Sequence, residues 1–69
     1  MATMKIRISM ANNSDARKAD VLNSIPGARG RHNGGKVVIV TLDAAHVPLA
    51  EKLLLADNRV SQFSDAEPV

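Results

Sequence analysis

The chain contains no cysteine, no tryptophan and no tyrosine, and Phe63 is its single aromatic residue. Without cysteine it can form no disulfide, no thiolate zinc site and no thiol nucleophile. Without a set of aromatics it has no platform on which bases could stack. No apolar run approaches the roughly 18 residues of a membrane-spanning helix, and no segment reads as a secretion signal. The expectation is a soluble, cytoplasmic protein without membrane association. At 69 residues the chain allows one small domain, with an ordered core expected over 4–64 and a loose tail over 65–69.

A single core of this size supplies about 3–5 kcal/mol of net stability, and small domains are commonly stapled by disulfides or metals. Neither staple is available through cysteine here, so the core must be aliphatic. Homodimerisation is the expected remedy.

What the sequence does contain is periodicity. Met4, Ile6, Ile8 and Met10 alternate with Lys5, Arg7 and Ser9, the period-2 signature of a half-buried strand. Asn12, Asn13 and Ser14 offer N-cap side chains and Asp15 suits a first helical turn. Ala16, Ala19, Leu22 and Ile25 then recur every three residues, which predicts an amphipathic helix of about three turns, stopped by Pro26-Gly27. Asn33-Gly34-Gly35 signals a hairpin between an arginine-bearing edge strand, Ala28–His32, and the β-branched run Lys36–Leu42. That run is expected to be a central strand buried on both faces. Asp43 can cap a second helix with Pro48 near its start and Leu49, Ala50, Leu53, Leu54 and Ala56 on one face. Arg59–Phe63 reads as a short last strand, although Val60 and Phe63 do not share a phase. The order strand, helix, strand, strand, helix, strand predicts an α+β, ferredoxin-like βαββαβ domain, with two helices on one face of an antiparallel sheet.

Candidate chemistry is sparse. Gly30-Arg31-His32-Asn33-Gly34-Gly35-Lys36-Val37 nearly spells a phosphate loop. However, Val37 replaces the metal-binding hydroxyl, and the segment leads into a strand instead of opening a helix. His32 and His46 have no metal-ligand spacing, and no serine sits in a nucleophile elbow. No catalytic, cofactor-binding or metal-binding residue is assigned, and the chain is read as non-enzymatic.

The charge distribution is more informative. The net charge of +2 conceals an asymmetry: residues 1–36 carry seven basic against two acidic residues, a balance of +5, and residues 37–69 balance at −3. If the strands pair as expected, Lys5, Arg7, Arg29 and Arg31 gather on the open sheet face, with Val37 and Ile39 between them and Lys36 close by. Aliphatic positions rimmed by arginine have the anatomy of a protein interface. The same cations could follow a phosphate backbone.

Two likenesses bear on this. Ile25-Pro26-Gly27-Ala28-Arg29, a turn and Lys36–Leu42 resemble a hairpin of small helicase-associated modules, which carry tryptophan where this chain has Gly30 and Val38. In size, architecture and missing chemistry the whole chain also resembles small inhibitors of phages and mobile elements, the anti-CRISPR proteins among them. That resemblance implies a binding protein that occludes a nucleic-acid-handling protein complex, such as a CRISPR effector. The expected contact residues are Lys5, Arg7, Arg29, Arg31, Lys36, Val37 and Ile39. The alternatives are a nucleic-acid-binding accessory protein using the same cations, and a homodimerisation module.

Overall fold

The computed structural model describes residues 2–69 and shows a small α+β architecture. Strand β1 (Thr3–Met10) is followed by helix α1 (Asn13–Lys18), strands β2 (Arg29–His32) and β3 (Val37–Asp43), a single 3-10 turn (Ala44–His46), helix α2 (Val47–Ala56), and strands β4 (Val60–Phe63) and β5 (Glu67–Pro68). The strands form one five-stranded sheet in the order β2-β3-β1-β4, with β5 also on β1. Every pairing is antiparallel.

The alternation in β1 is realised as expected: Ile6, Ile8 and Met10 are buried and Lys5 and Arg7 are exposed. Strand β3 is central in the sheet, but it is not buried on both faces. Val38, Val40 and Leu42 are buried, while Val37, Ile39 and Thr41 are only half-buried. The buried residues of both strands form one cluster with Ala16, Leu22 and Ile25 from the first crossover and Ala50 and Leu54 from α2. Both crossovers therefore pack on the same face, and the other face of the sheet stays open.

The first helix is much shorter than its apolar spacing suggests. Asn12 caps it, accepting from the Asp15 N–H through its side chain, but the helix ends at Lys18 and Ala19 turns left-handed at φ 51°. Successive turns follow, in which Asn23, Ile25 and Ala28 N–H groups donate to the carbonyls of Asp20, Leu22 and Ile25. An α-helix advances about 100° per residue, so a strict repeat of three drifts around its surface. A three-residue repeat instead matches consecutive i to i+3 turns. Leu22 and Ile25 thus reach the core from turns, not from a helix.

Three further segments differ from expectation. Asp43 caps the 3-10 turn through the Ala45 N–H at 3.0 Å, and α2 begins only at Val47. Leu49, expected to face inward, is 47% exposed. The mismatch between Val60 and Phe63 is absorbed by a register shift at Ser9/Met10: Phe63 sits opposite Ile8 and Val60 opposite Met10. This irregularity lets both residues pack against the core. Finally, residues 65–69 do not trail off. Glu67 and Pro68 pair with Lys5 and Met4, Val69 N–H donates to the Thr3 carbonyl at 3.1 Å, and Ala66 packs against the core. Thr3, expected ahead of β1, is its first residue, and Met1 lies outside the described residues.

Candidate functional site

The register of the sheet decides what the open face carries. Arg29 and Arg31 of β2 lie opposite Thr41 and Ile39 of β3, which in turn lie opposite Lys5 and Arg7 of β1. Two rows result, Arg29–Thr41–Lys5 and Arg31–Ile39–Arg7, each crossing three strands. Their outer ends stand about 10 Å apart, and the rows are separated by about 7 Å, the rise of two strand residues. The fold thereby arranges four cations as a rectangle, with one hydroxyl and one aliphatic side chain along its midline.

This rectangle borders a recess of about 700 Å³. Lys5, Arg7, Arg29, Arg31 and Ile39 line it, as expected from the strand pattern, together with Thr41, Ser64, Glu67 and Val69. Two of the expected contact residues lie apart from it. Lys36 sits at the hairpin end, where its carbonyl accepts from the Met10 N–H. Val37 shares the face but stands at the far end of β3, opposite Ser9.

Local structure explains why β2 holds its arginines there. Gly34 and Gly35 adopt positive φ in the hairpin, and Asn33 N–H closes it on the Val37 carbonyl at 2.9 Å. Gly30, between the arginines, lies directly against the Ala19 carbonyl, in the space a Cβ would fill. The close approach fixes the edge strand against the exit of α1 and leaves Arg29 and Arg31 exposed on the other side.

The four cations of the face are not ion-paired among the described residues. Among the described residues the ion pairs are those of Arg59 with Asp57 at 3.0 Å and with Asp20 at 3.3 Å, away from the recess. Asp57 is held below the usual carboxylate range, chiefly by hydrogen bonds from the Arg59 side chain, and Arg59 is raised reciprocally. Among the described residues none of the four recess cations has a carboxylate within ion-pairing distance. Like charges about 7 Å apart repel by about 0.6 kcal/mol in water, and this spacing lies within the Debye length of about 8 Å at physiological salt. An anionic partner relieves that repulsion.

Ser64 is committed to the backbone: its Oγ accepts from the Arg7 N–H at 3.2 Å and donates to the Asp65 carbonyl at 3.3 Å. The His32 ring meets the Gly35 carbonyl at 2.9 Å, so Nε2 carries the proton and donates. Among the described residues no group of three or more metal-ligating side chains converges. No helix of the described residues is long and apolar enough to cross a membrane.

Sequence reasoning missed Thr41, Ser64, Glu67 and Val69. Thr41 was legible, since it shares the phase of Ile39 on the same strand. The other three reach the recess only because the chain folds back along β1 after β4, and no local pattern announces that return. Compared with known proteins, the chain matches no family model, no curated protein and no solved structure.

Proposed function

We propose that the protein is a non-enzymatic binding protein that seats its basic sheet face on an acidic surface of a nucleic-acid-handling protein complex and occludes it. This is the mode of small inhibitors of the anti-CRISPR kind. The observation that carries the reading is the rectangle of Lys5, Arg7, Arg29 and Arg31 around the recess, with no carboxylate among the described residues paired to any of them. Ile39, half-buried between Arg7 and Arg31, adds an apolar contact at its centre. The ferredoxin-like reading of the fold is supported by the placement of β1 between β3 and β4 with both pairings antiparallel; the short α1 and the added β5 are departures from it. On this reading the protein works in the cytoplasm, and any homodimer uses a surface other than the basic face.

A second reading, direct binding of a phosphate backbone, is favoured by one observation. The two cationic pairs run side by side on β1 and β2, as two tracks flanking β3. Contact would be through phosphates alone, because Phe63 lies opposite the buried Ile8 and packs against the core instead of facing the recess.

The test is a double charge reversal, Arg29→Glu with Arg31→Glu, in two assays. Capture from a host lysate should yield a stoichiometric partner with the wild-type chain and none with the variant. Titration with labelled single- and double-stranded DNA and RNA should show no binding at moderate salt. A partner retained by the double variant overturns the assignment of the face. Tight nucleic-acid binding lost in that variant moves the conclusion to the second reading.

A further inference from the structure

The recess is not uniformly basic. Glu67 sits opposite Lys5 in the β5–β1 pairing and lines the same recess as the four cations. It extends the row Arg29–Thr41–Lys5 by one strand and ends it with a carboxylate. Its position is held from both sides: Ala66 packs against the core, and Val69 N–H donates to the Thr3 carbonyl at 3.1 Å. The carboxylate is nonetheless not engaged, since Lys5 stands beyond ion-pairing distance and no other basic group pairs with Glu67 among the described residues.

We propose that Glu67 is the specificity-determining residue of this face, and that it selects a protein surface over a nucleic-acid backbone. The inference rests on the reading that the basic face is the binding site. A nucleic-acid strand presents phosphate after phosphate. One that followed Arg29 and Lys5 across the sheet would bring its next negative charge against Glu67. A protein surface has no such constraint: it can set a carboxylate among the cations and a lysine, an arginine or an N–H donor against Glu67. Val69, at the same rim and 75% exposed, offers such a surface an apolar contact and offers a phosphate strand none. The partner that fits is therefore a folded protein whose acidic patch ends at a basic or N–H-donating group. Glu67 works by repelling the competing class of ligand; discrimination of that kind commonly depends on a repulsive element as much as on attraction.

The experiment measures the binding of a fluorescently labelled single-stranded DNA of mixed sequence to the wild-type chain, Glu67→Gln and Glu67→Lys, at about 50 mM and about 200 mM salt. Glu67→Gln keeps the shape of β5 and removes one charge; thermal unfolding confirms that both variants fold. The expected result at the lower salt is weak wild-type binding, a gain of about threefold in Glu67→Gln, and a larger one in Glu67→Lys. Glu67→Lys should also steepen the salt dependence by about 0.7 in log–log slope, one further phosphate contact on a single strand. Equal binding by all three proteins, including no binding by any, overturns the proposal. Adding Arg29→Gln and Arg31→Gln to Glu67→Lys separates the two levels of inference. The gained binding must disappear in that protein; if it persists, the DNA is held elsewhere and the assignment of the face itself fails.

Discussion

On β1 the side chains of Ile6, Ile8 and Met10 are at most 2% exposed, whereas Lys5 and Arg7, their immediate neighbours, face solvent. Strand β3 repeats the contrast more softly, with Val38, Val40 and Leu42 buried and Val37, Ile39 and Thr41 half-covered. The two faces share one backbone and one set of hydrogen bonds, so their difference isolates what the side chains contribute. The inner face holds the molecule together by removing aliphatic area from water, at about 25 cal/mol per Å². The outer face gathers four like charges that repel one another. On the proposed reading those charges serve binding and not folding.

The comparison is broken most forcefully from the inner side. Ile8 is fully buried, opposite Val38 on one flank and Phe63 on the other. Ile8→Ala should cost about 2–5 kcal/mol, a large part of the margin of a domain this small. Chemical denaturation should show a largely unfolded variant or a midpoint lowered accordingly. A loss below about 1 kcal/mol would mean that this layer is not the stabilising one. A smaller effect is expected at Gly30, where the two faces are coupled through the backbone. A methyl group there meets the Ala19 carbonyl, whose carbon lies 3.2 Å from the position the new Cβ would take. Ala19 is main chain in a left-handed turn and cannot swing aside as a side chain can. Gly30→Ala should therefore destabilise by about 1–3 kcal/mol and displace Arg29 and Arg31 from Lys5 and Arg7. Partner binding should weaken by more than the change in stability alone accounts for.

How much of this was legible in the sequence follows from what each segment depends on. β1, β3 and the hairpin between β2 and β3 obey local rules, the period of two and the positive φ of Gly34 and Gly35, and they stand where the sequence puts them. Because register follows from those strands, the gathering of Lys5, Arg7, Arg29, Arg31 and Ile39 was legible too. The segment after Lys18 was misread because a spacing of three fits turns as well as a helix, and only the left-handed Ala19 decides between them. The irregular β1–β4 pairing and the return of residues 67–68 onto β1 depend on contacts with residues fifty or more positions away. Glu67 was invisible for that reason.

An ion-pair cluster outside both faces gives the next smaller effect. Arg59 joins Asp57 just beyond α2 to Asp20 in the first crossover, and Arg59 is itself 38% exposed. Solvent screening limits its worth, so Arg59→Ala should cost about 0.5–1 kcal/mol. Its pH dependence has a definite sign. The folded-state pKa of Asp57 is lowered, first by the Arg59 side-chain hydrogen bond. The contribution is therefore present above the unfolded carboxylate value of about 3.9 and is lost as pH falls through the folded value. Wild type and Arg59→Ala should differ in stability at neutral pH and converge in acid; a gap that persists in strong acid would mean that Arg59 acts through packing.

The smallest expected effect is the one that tests the outer face most directly. Arg7 and Arg31 flank Ile39 in one row, and neither has a carboxylate partner among the described residues. If they serve binding and not folding, Arg7→Gln and Arg31→Gln, singly or together, should destabilise the protein by no more than about 0.5 kcal/mol. The sign is also set, because each substitution removes repulsion of about 0.6 kcal/mol per close pair in water, so the change should be neutral or slightly stabilising. Salt supplies the control. Raising ionic strength from about 0.01 M to about 1 M shortens the Debye length from about 30 Å to about 3 Å, which screens the same repulsion without altering the chain. Salt should therefore raise the melting temperature of the wild-type protein more than that of the doubly neutralised variant. A neutralised protein that unfolds several degrees lower, at either salt concentration, would show that the arginine stems cover the sheet and contribute to its stability. The contrast between a stabilising face and a free one would then fail on the side where binding has been assigned.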